Sequence, residues 1–263
     1  MNDREIGIFD SGVGGLTVYR EIKRILPEEN IIYIGDTMNF PYGNKDKNQI
    51  IEYSIQNVER LISENVKMIV TACGTVTSQA IEILQEKYEV PIIGIIEPTV
   101  VHIKEKGYKK IGVIATEGTI KSGAWEKKLK EKIKNIKVVN QACPMLATIA
   151  EQDKVQSQDA KIAIHEYMKK IKEEHIDKII MGCTHYPIYE KVIKNELKYD
   201  VELINTGTIV AQYIEKYLHE NEMQNDQKHV DDKIYLTKPE RHFQKISENI
   251  LKCKVEIKEL ITQ

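Results

Sequence analysis

Aromatic residues make up only 6% of this 263-residue chain, and neither sign of charge is in excess, the formal net charge being −2. A near-neutral balance leaves no basic footprint for nucleic acid or an anionic membrane surface. Lysine-rich stretches such as 127–132 are interleaved with acidic and apolar residues at helical spacing and read as a solvated helix face. No window approaches the roughly 20 consecutive apolar residues of a membrane span, and the opening "MNDREIGIFDSG" carries no apolar signal core. Together these absences predict a cytoplasmic protein with no nucleic-acid or membrane partner. With only a few residues ahead of the first strand, no long N-terminal regulatory extension is expected. The four cysteines, Cys73, Cys143, Cys183 and Cys253, form no C-x-x-C, so neither a zinc ribbon nor a thioredoxin-type pair is suggested.

What is present is an ordinary globular balance, 41% apolar and 30% charged, in a chain long enough for a large α/β core. Short β-branched runs at 5–10, 31–35, 68–72, 92–95, 110–114, 138–140, 178–181, 202–204 and 233–236 read as strands. Amphipathic stretches between them, at 16–26, 50–64, 76–87, 122–133, 158–175 and 208–219, read as helices. Such alternation specifies parallel sheets built from βα units. A weak internal repeat adds to this: "IGIFDSG" at 6–12 resembles "IGVIATEG" at 111–118, and "TACGT" at 71–75 resembles "MGCTH" at 181–185. The fold class predicted is therefore α/β with two pseudo-symmetric lobes. Each is a mainly parallel sheet flanked by helices, and the active site lies between them. Residues 1–97 with 207–263 form the first lobe and 98–206 the second. The polar segment 219–232 reads as a loop or helix end inside the first lobe.

The loop "FDSGVGGLT" begins like a dinucleotide fingerprint with Gly12 and Gly14, but Thr17 stands where the third glycine belongs. Asp36, at the end of the next strand, sits roughly where a ribose ligand would be. The same glycine-rich turn can instead offer backbone N–H groups to a carboxylate. Asp10 and Ser11 end the first strand, on the edge where open α/β sheets bind ligands. "GDTMNFPYGNK" at 35–45 is a second strand-end loop, with a turn at Pro41-Tyr42-Gly43 and backbone donors near Tyr42 and Gly43.

A free cysteine is most often a small buried hydrophobe, which suits Cys253 and Cys143. Cys73 and Cys183 differ, since each falls where a strand gives way to polar residues, Gly74-Thr75 after one and Thr184-His185 after the other. A helix N-terminus beyond the strand and a neighbouring histidine both favour thiolate. Two thiols on opposing lobes admit a redox pair, a soft-metal site with His185, or opposed acid/base groups. Opposed bases fit the symmetry best, because removing a proton from one face of a carbon and returning one to the other is racemisation.

"GIFDSGVGGLTV", "GDTMNFPYG", "ACGT", "GVIATEGTIKSG", "ACP" and "GCTHYP" occur in the order and spacing of the glutamate racemases, within the cofactor-independent aspartate/glutamate racemase superfamily. The resemblance covers essentially the whole chain. It implies interconversion of L- and D-glutamate without a cofactor or metal, a supply of D-glutamate for peptidoglycan synthesis, and a homodimer. It implies that Cys73 takes the α-proton from D-glutamate and Cys183 from L-glutamate, with Asp10 and His185 as auxiliary ionisable groups. By the same resemblance Ser11, Tyr42, Gly43, Thr75 and Thr184 hold the substrate, together with Asp10, Gly74 and His185. Glu151 lies near the place of a further acidic residue. The chain departs from the family where asparagine usually follows the first cysteine: it has Gly74. A lost side-chain contact costs about 1–3 kcal/mol if its partner stays unsatisfied. Gly74 therefore leaves open a racemase of another acidic amino acid, such as aspartate, or a binding or regulatory paralogue. "ACPMLATIAEQD" and "INTG" also differ from the family's usual segments.

Overall fold

Isoleucine and valine dominate the strands, whose positions in the computed structural model, describing residues 3–225 and 232–260, follow the β-branched runs closely. They are β1 (Ile6–Asp10), β2 (Ile31–Gly35), β3 (Met68–Thr71), β4 (Ile92–Gly94), β5 (Lys110–Ala115), β6 (Lys137–Ala142), β7 (Lys178–Met181), β8 (Glu202–Asn205), β9 (Lys233–Leu236) and β10 (Ile257–Glu259). Every residue of β1 to β4 is buried, as strands covered by helices on both faces must be. All pairings among the described residues are parallel.

Two sheets result, ordered β10-β9-β2-β1-β3-β4 and β6-β5-β7-β8. The inner part of the first, β2-β1-β3-β4, repeats the order of the second, so the internal repeat in the sequence corresponds to a repeated topology. In each sheet the order reverses beside one central strand, at β1/β3 in the first and β5/β7 in the second. Loops diverge at such switch points and leave a crevice at the strands' carboxyl ends. Asp10 ends β1 and Cys73 follows β3 by two residues; Thr116 follows β5 and Cys183 follows β7 by two. Four strand ends of matching topology therefore carry the candidate chemistry. After β8, helix Thr206–Glu220 packs on Leu16–Ile25, and β9 pairs with β2. One apolar cluster joins Ile8 and Val70 of the first sheet to Val113 and Ile180 of the second, and includes Val100 and Ile103 of helix Ile96–Glu105.

The predicted helix at 76–87 is divided at Ala80 into Gly74–Gln79 and Ile81–Lys87. Thr75, Val76 and Thr77 are β-branched, and the Thr77 hydroxyl bonds the carbonyls of Cys73 and Thr71 at 3.1 and 3.2 Å. Such side-chain competition for backbone groups favours helix ends over interiors. Helices Ile96–Glu105, Pro144–Glu151, Glu190–Leu197 and Phe243–Leu251 and strand β10 were not expected from sequence. Of the polar segment 219–232, the described part leaves helix Thr206–Glu220 in a turn, and 226–231 lie outside the described residues. No helix among the described residues is long and apolar enough to cross a membrane.

Candidate active site

The two switch points enclose a cavity of about 130 Å³, lined from the first lobe by Ser11, Tyr42, Gly43, Cys73, Gly74 and Thr75, and from the second by Cys183, Thr184 and His185. Pockets for drug-sized ligands run to roughly 300–1,000 Å³, so this space suits an amino acid and not a dinucleotide. Of the catalytic and substrate-binding candidates, all but Asp10 line it; Asp10 is wholly buried, and Glu151 and Asp36 also lie outside the lining. Cys73 and Cys183 are free thiols, each 5% exposed. Among the described residues no group of three or more His, Cys, Asp or Glu is gathered as a metal ion would need.

Their surroundings differ. Cys183 Sγ lies 3.7 Å from His185 Nδ1, and His185 Nε2 lies 2.8 Å from Glu151 Oε1. The same carboxylate oxygen accepts the backbone N–H of Val13 at 2.6 Å. Phe40 packs on the imidazole, centroids 5.9 Å apart, and Gly14 lies against its Nδ1 edge, where a Cβ would come within 2.5 Å. Burial alone would lower the His185 pKa, but the hydrogen bonds and charges of Cys183 and Glu151 reverse this and hold it well above the ordinary imidazole value. Cys183 thus has a histidine within reach, itself steadied by a buried carboxylate.

Cys73 has no such partner. Its thiol donates to Ser11 Oγ at 3.9 Å, and burial pushes its pKa up to about 12, with the Asp10 charge adding to the rise. The sequence reading expected the helix N-terminus after Cys73 to favour thiolate. The amides of Thr75 and Val76 do pull that way, but desolvation outweighs them. Burial thus favours the neutral thiol at Cys73.

The glycine-rich loop also departs from expectation. Its amides were read as ligand donors, yet the Val13 N–H is occupied by Glu151 and the Gly12 N–H by Asp10 Oδ1 at 3.1 Å. Those two amides are not free to hold a phosphate. Asp36, suspected as a ribose ligand, is 1% exposed and gathers the Tyr42 hydroxyl, Asn39 at 3.0 Å and Thr237 at 2.8 Å. Its carboxylate anchors the Tyr42 phenol of the 40–43 wall, and Tyr42 and Gly43 line the cavity. Sequence reasoning also passed over Thr116, whose Oγ1 lies 3.0 Å from Thr75 Oγ1 across the lobes, although "ATEG" as the counterpart of "FDSG" was the signal for it.

Burial raises the Asp10 carboxyl from 3.8 to about 6, against the opposing pulls of His185, the Gly12 N–H and Thr184. The folded state thus binds this proton more tightly than the unfolded chain. Asp10 contributes stability below pH 4, and that contribution is lost as pH rises to about 6. Asp10→Asn keeps the size and an acceptor for Gly12, and cannot ionise. It is expected to gain roughly 2–3 kcal/mol over the native chain at pH 8 and nothing at pH 3. Urea unfolding at the two pH values checks this, and equal differences at both would refute it.

Paired switch points turned toward one small cavity, each ending in a thiol, define an amino-acid racemase among the isomerases. The chain belongs to the Asp/Glu/hydantoin racemase family, whose sequence profile matches residues 6–214. It is 40% identical over 253 residues to the glutamate racemase of Lactococcus lactis subsp. cremoris, covering 95% of this chain and 93% of that one. The crystal structure of glutamate racemase from Francisella tularensis in complex with D-glutamate superposes with a TM-score of 0.93 at 32% identity, covering 100% of this chain and 98% of that one. A glutamate racemase isoform from Bacillus anthracis gives 0.94 at 35% identity, covering 99% and 98%.

Proposed function

We propose that this protein interconverts L- and D-glutamate by a cofactor-independent 1,1-proton transfer between Cys73 and Cys183, supplying D-glutamate for peptidoglycan synthesis. The observation that carries the proposal is the placement of the two free thiols on one amino-acid-sized cavity, from opposite lobes. The naming of the 40%-identical Lactococcus relative and the D-glutamate bound by the Francisella protein support glutamate as the substrate.

In the D-to-L direction, Cys73 as thiolate takes the α-proton and becomes the thiol, leaving a carbanionic Cα. Cys183 then gives its proton to the opposite face and is left as thiolate. The reverse direction exchanges the roles. Burial disfavours the Cys73 thiolate in the free protein, and the positive charge that the substrate's α-ammonium brings into the cavity favours it. The carbanion is stabilised by preorganised donors in a water-excluded space, supplied here by the Ser11 and Thr75 side chains and the backbone at Tyr42 and Gly43.

Incubating the purified chain with each enantiomer of glutamate and of aspartate, without added cofactor, tests the reading by circular dichroism. Glutamate is expected to reach the racemic mixture from either side. Conversion of aspartate but not glutamate would move the assignment to the other acidic amino acid.

A further inference from the structure

The two thiol-bearing turns meet directly, main chain to main chain. Gly74 follows Cys73 and opens helix Gly74–Gln79, while Gly182 precedes Cys183. A Cβ on Gly74 would lie 2.1 Å from the Gly182 carbonyl oxygen and 3.3 Å from its carbonyl carbon, where real Cβ contacts essentially never fall below 3.0 Å.

Other glycines of the first lobe also face the second, but they meet side chains: Gly12 the Glu151 carboxylate, Gly14 the Thr184 and His185 side chains, Gly43 the Thr116 side chain. A side chain can turn aside, whereas the Gly182 carbonyl cannot. The Gly182 N–H is bound to Ile114 O at 2.8 Å, and Gly182 is wedged against Trp125, to whose Nε1 its own Cβ would come within 2.9 Å. On the opposite side the Cys73 carbonyl is held by the Thr77 N–H at 3.0 Å and the Thr77 hydroxyl at 3.1 Å. Neither backbone can yield alone, so any side chain at position 74 must push the lobes apart, by about 1.3 Å or more to bring 2.1 Å to the 3.4 Å where ordinary van der Waals contact begins.

We propose that Gly74 is a positioning residue that sets the separation of the two thiols, by letting the turns that carry Cys73 and Cys183 close to backbone contact. On this account the glycine is not a lost amide contact. Restoring an asparagine in this chain harms the site, because the close approach of the lobes leaves no room for its Cβ. The proposal rests on the two-thiol reading for its catalytic consequence, but the approach of the lobes has a readout of its own.

The test takes the full chain with Gly74→Ala and Gly74→Asn. Two quantities are measured: kcat and KM for glutamate, and the rates at which iodoacetamide alkylates each cysteine without substrate, followed by peptide mass spectrometry. Misplacing reacting groups by about 1 Å can cost about 100-fold, so both variants are expected to lose about that factor in kcat, with KM moving far less. Cys73 and Cys183 are expected to alkylate several-fold faster, while the buried Cys143 stays as protected as before, which separates opened lobes from general unfolding. If Gly74→Asn does not fold, Gly74→Ala decides. Activity of Gly74→Asn at or above that of the native chain, unchanged alkylation of the two thiols, or faster alkylation with kcat intact would each overturn the proposal. Should the native chain fail to racemise glutamate, the proposed function falls, and the substrate-free alkylation rates still decide whether Gly74 sets the gap.

Discussion

Cys73→Ser and Cys183→Ser are each expected to lower kcat/KM for glutamate by about 10³–10⁴-fold, the upper range for removal of a positioned acid/base group. A serine hydroxyl fits either place, but it neither gives up nor takes a proton as a thiol does, so the loss reports chemistry and not packing. The loss must be equal in the two directions. Enantiomers have equal free energies, the equilibrium constant is unity, and the ratio of kcat/KM values cannot depend on the variant. The asymmetry appears in exchange. With Cys183 intact, Cys73→Ser is expected to keep slow incorporation of solvent deuterium into L-glutamate and none into D-glutamate, and Cys183→Ser the reverse. Cys253→Ser, at an exposed site, and Cys143→Ser, whose hydroxyl can keep the bond to the Gln141 carbonyl, are expected to retain substantial activity. Equal tolerance at all four positions would end the two-thiol mechanism.

Glu151→Gln is expected to cost about 10²-fold in kcat. Glu151 Oε1 accepts from both Val13 N and His185 Nε2, fixing the imidazole so that Nδ1 faces Cys183. Glutamine can keep an oxygen there but not the charge that helps hold the His185 pKa up. The sign follows: without the anion the imidazolium loses its proton at lower pH, so the limb of the kcat/KM profile that reports His185 moves toward acid. On the proposed mechanism, in which Cys183 takes the proton from L-glutamate, the α-deuterium isotope effect is expected to grow when the reaction starts from the L-enantiomer. A variant with the native rate, profile and isotope effect would remove Glu151 from the mechanism. A variant merely loosened at the Val13 contact would lose stability without moving the pH limb.

The strands were readable because their signal is local: β-branched runs bounded by polar turns place β2, β7 and β9 to the residue. The helices that escaped notice carry weak local signals. Ile96–Glu105 holds Pro98 and β-branched residues, and Pro144–Glu151 is apolar with little alternation. Helices this short are marginal in water and form because packing holds them. Strand β10 is three residues on an edge, too short to show a period.

The residues gathered around the cavity divide in the same way. Cys73, Cys183, Asp10, Ser11, Thr184 and His185 stood out in sequence because strand ends announce themselves where apolar runs stop, and the parallel topology sends those ends to one edge. Glu151 carries no such mark. It ends a helix, and its partner Val13 is 138 positions away along the chain. Its neighbour His185 is clear in sequence only as the residue two beyond a cysteine. The chain alone shows Gly74 only as a missing amide, and its approach to the other lobe appears only in the structure. A side chain's absence has no local signature, and what it meets here is the carbonyl of Gly182 on the other lobe. Periodicity and strand ends are properties of adjacent residues and are written in order along the chain. The thiol's ionisation, the carboxylate behind the histidine and the gap between the lobes arise from desolvation and contact between distant segments, and they exist only once those segments are packed together.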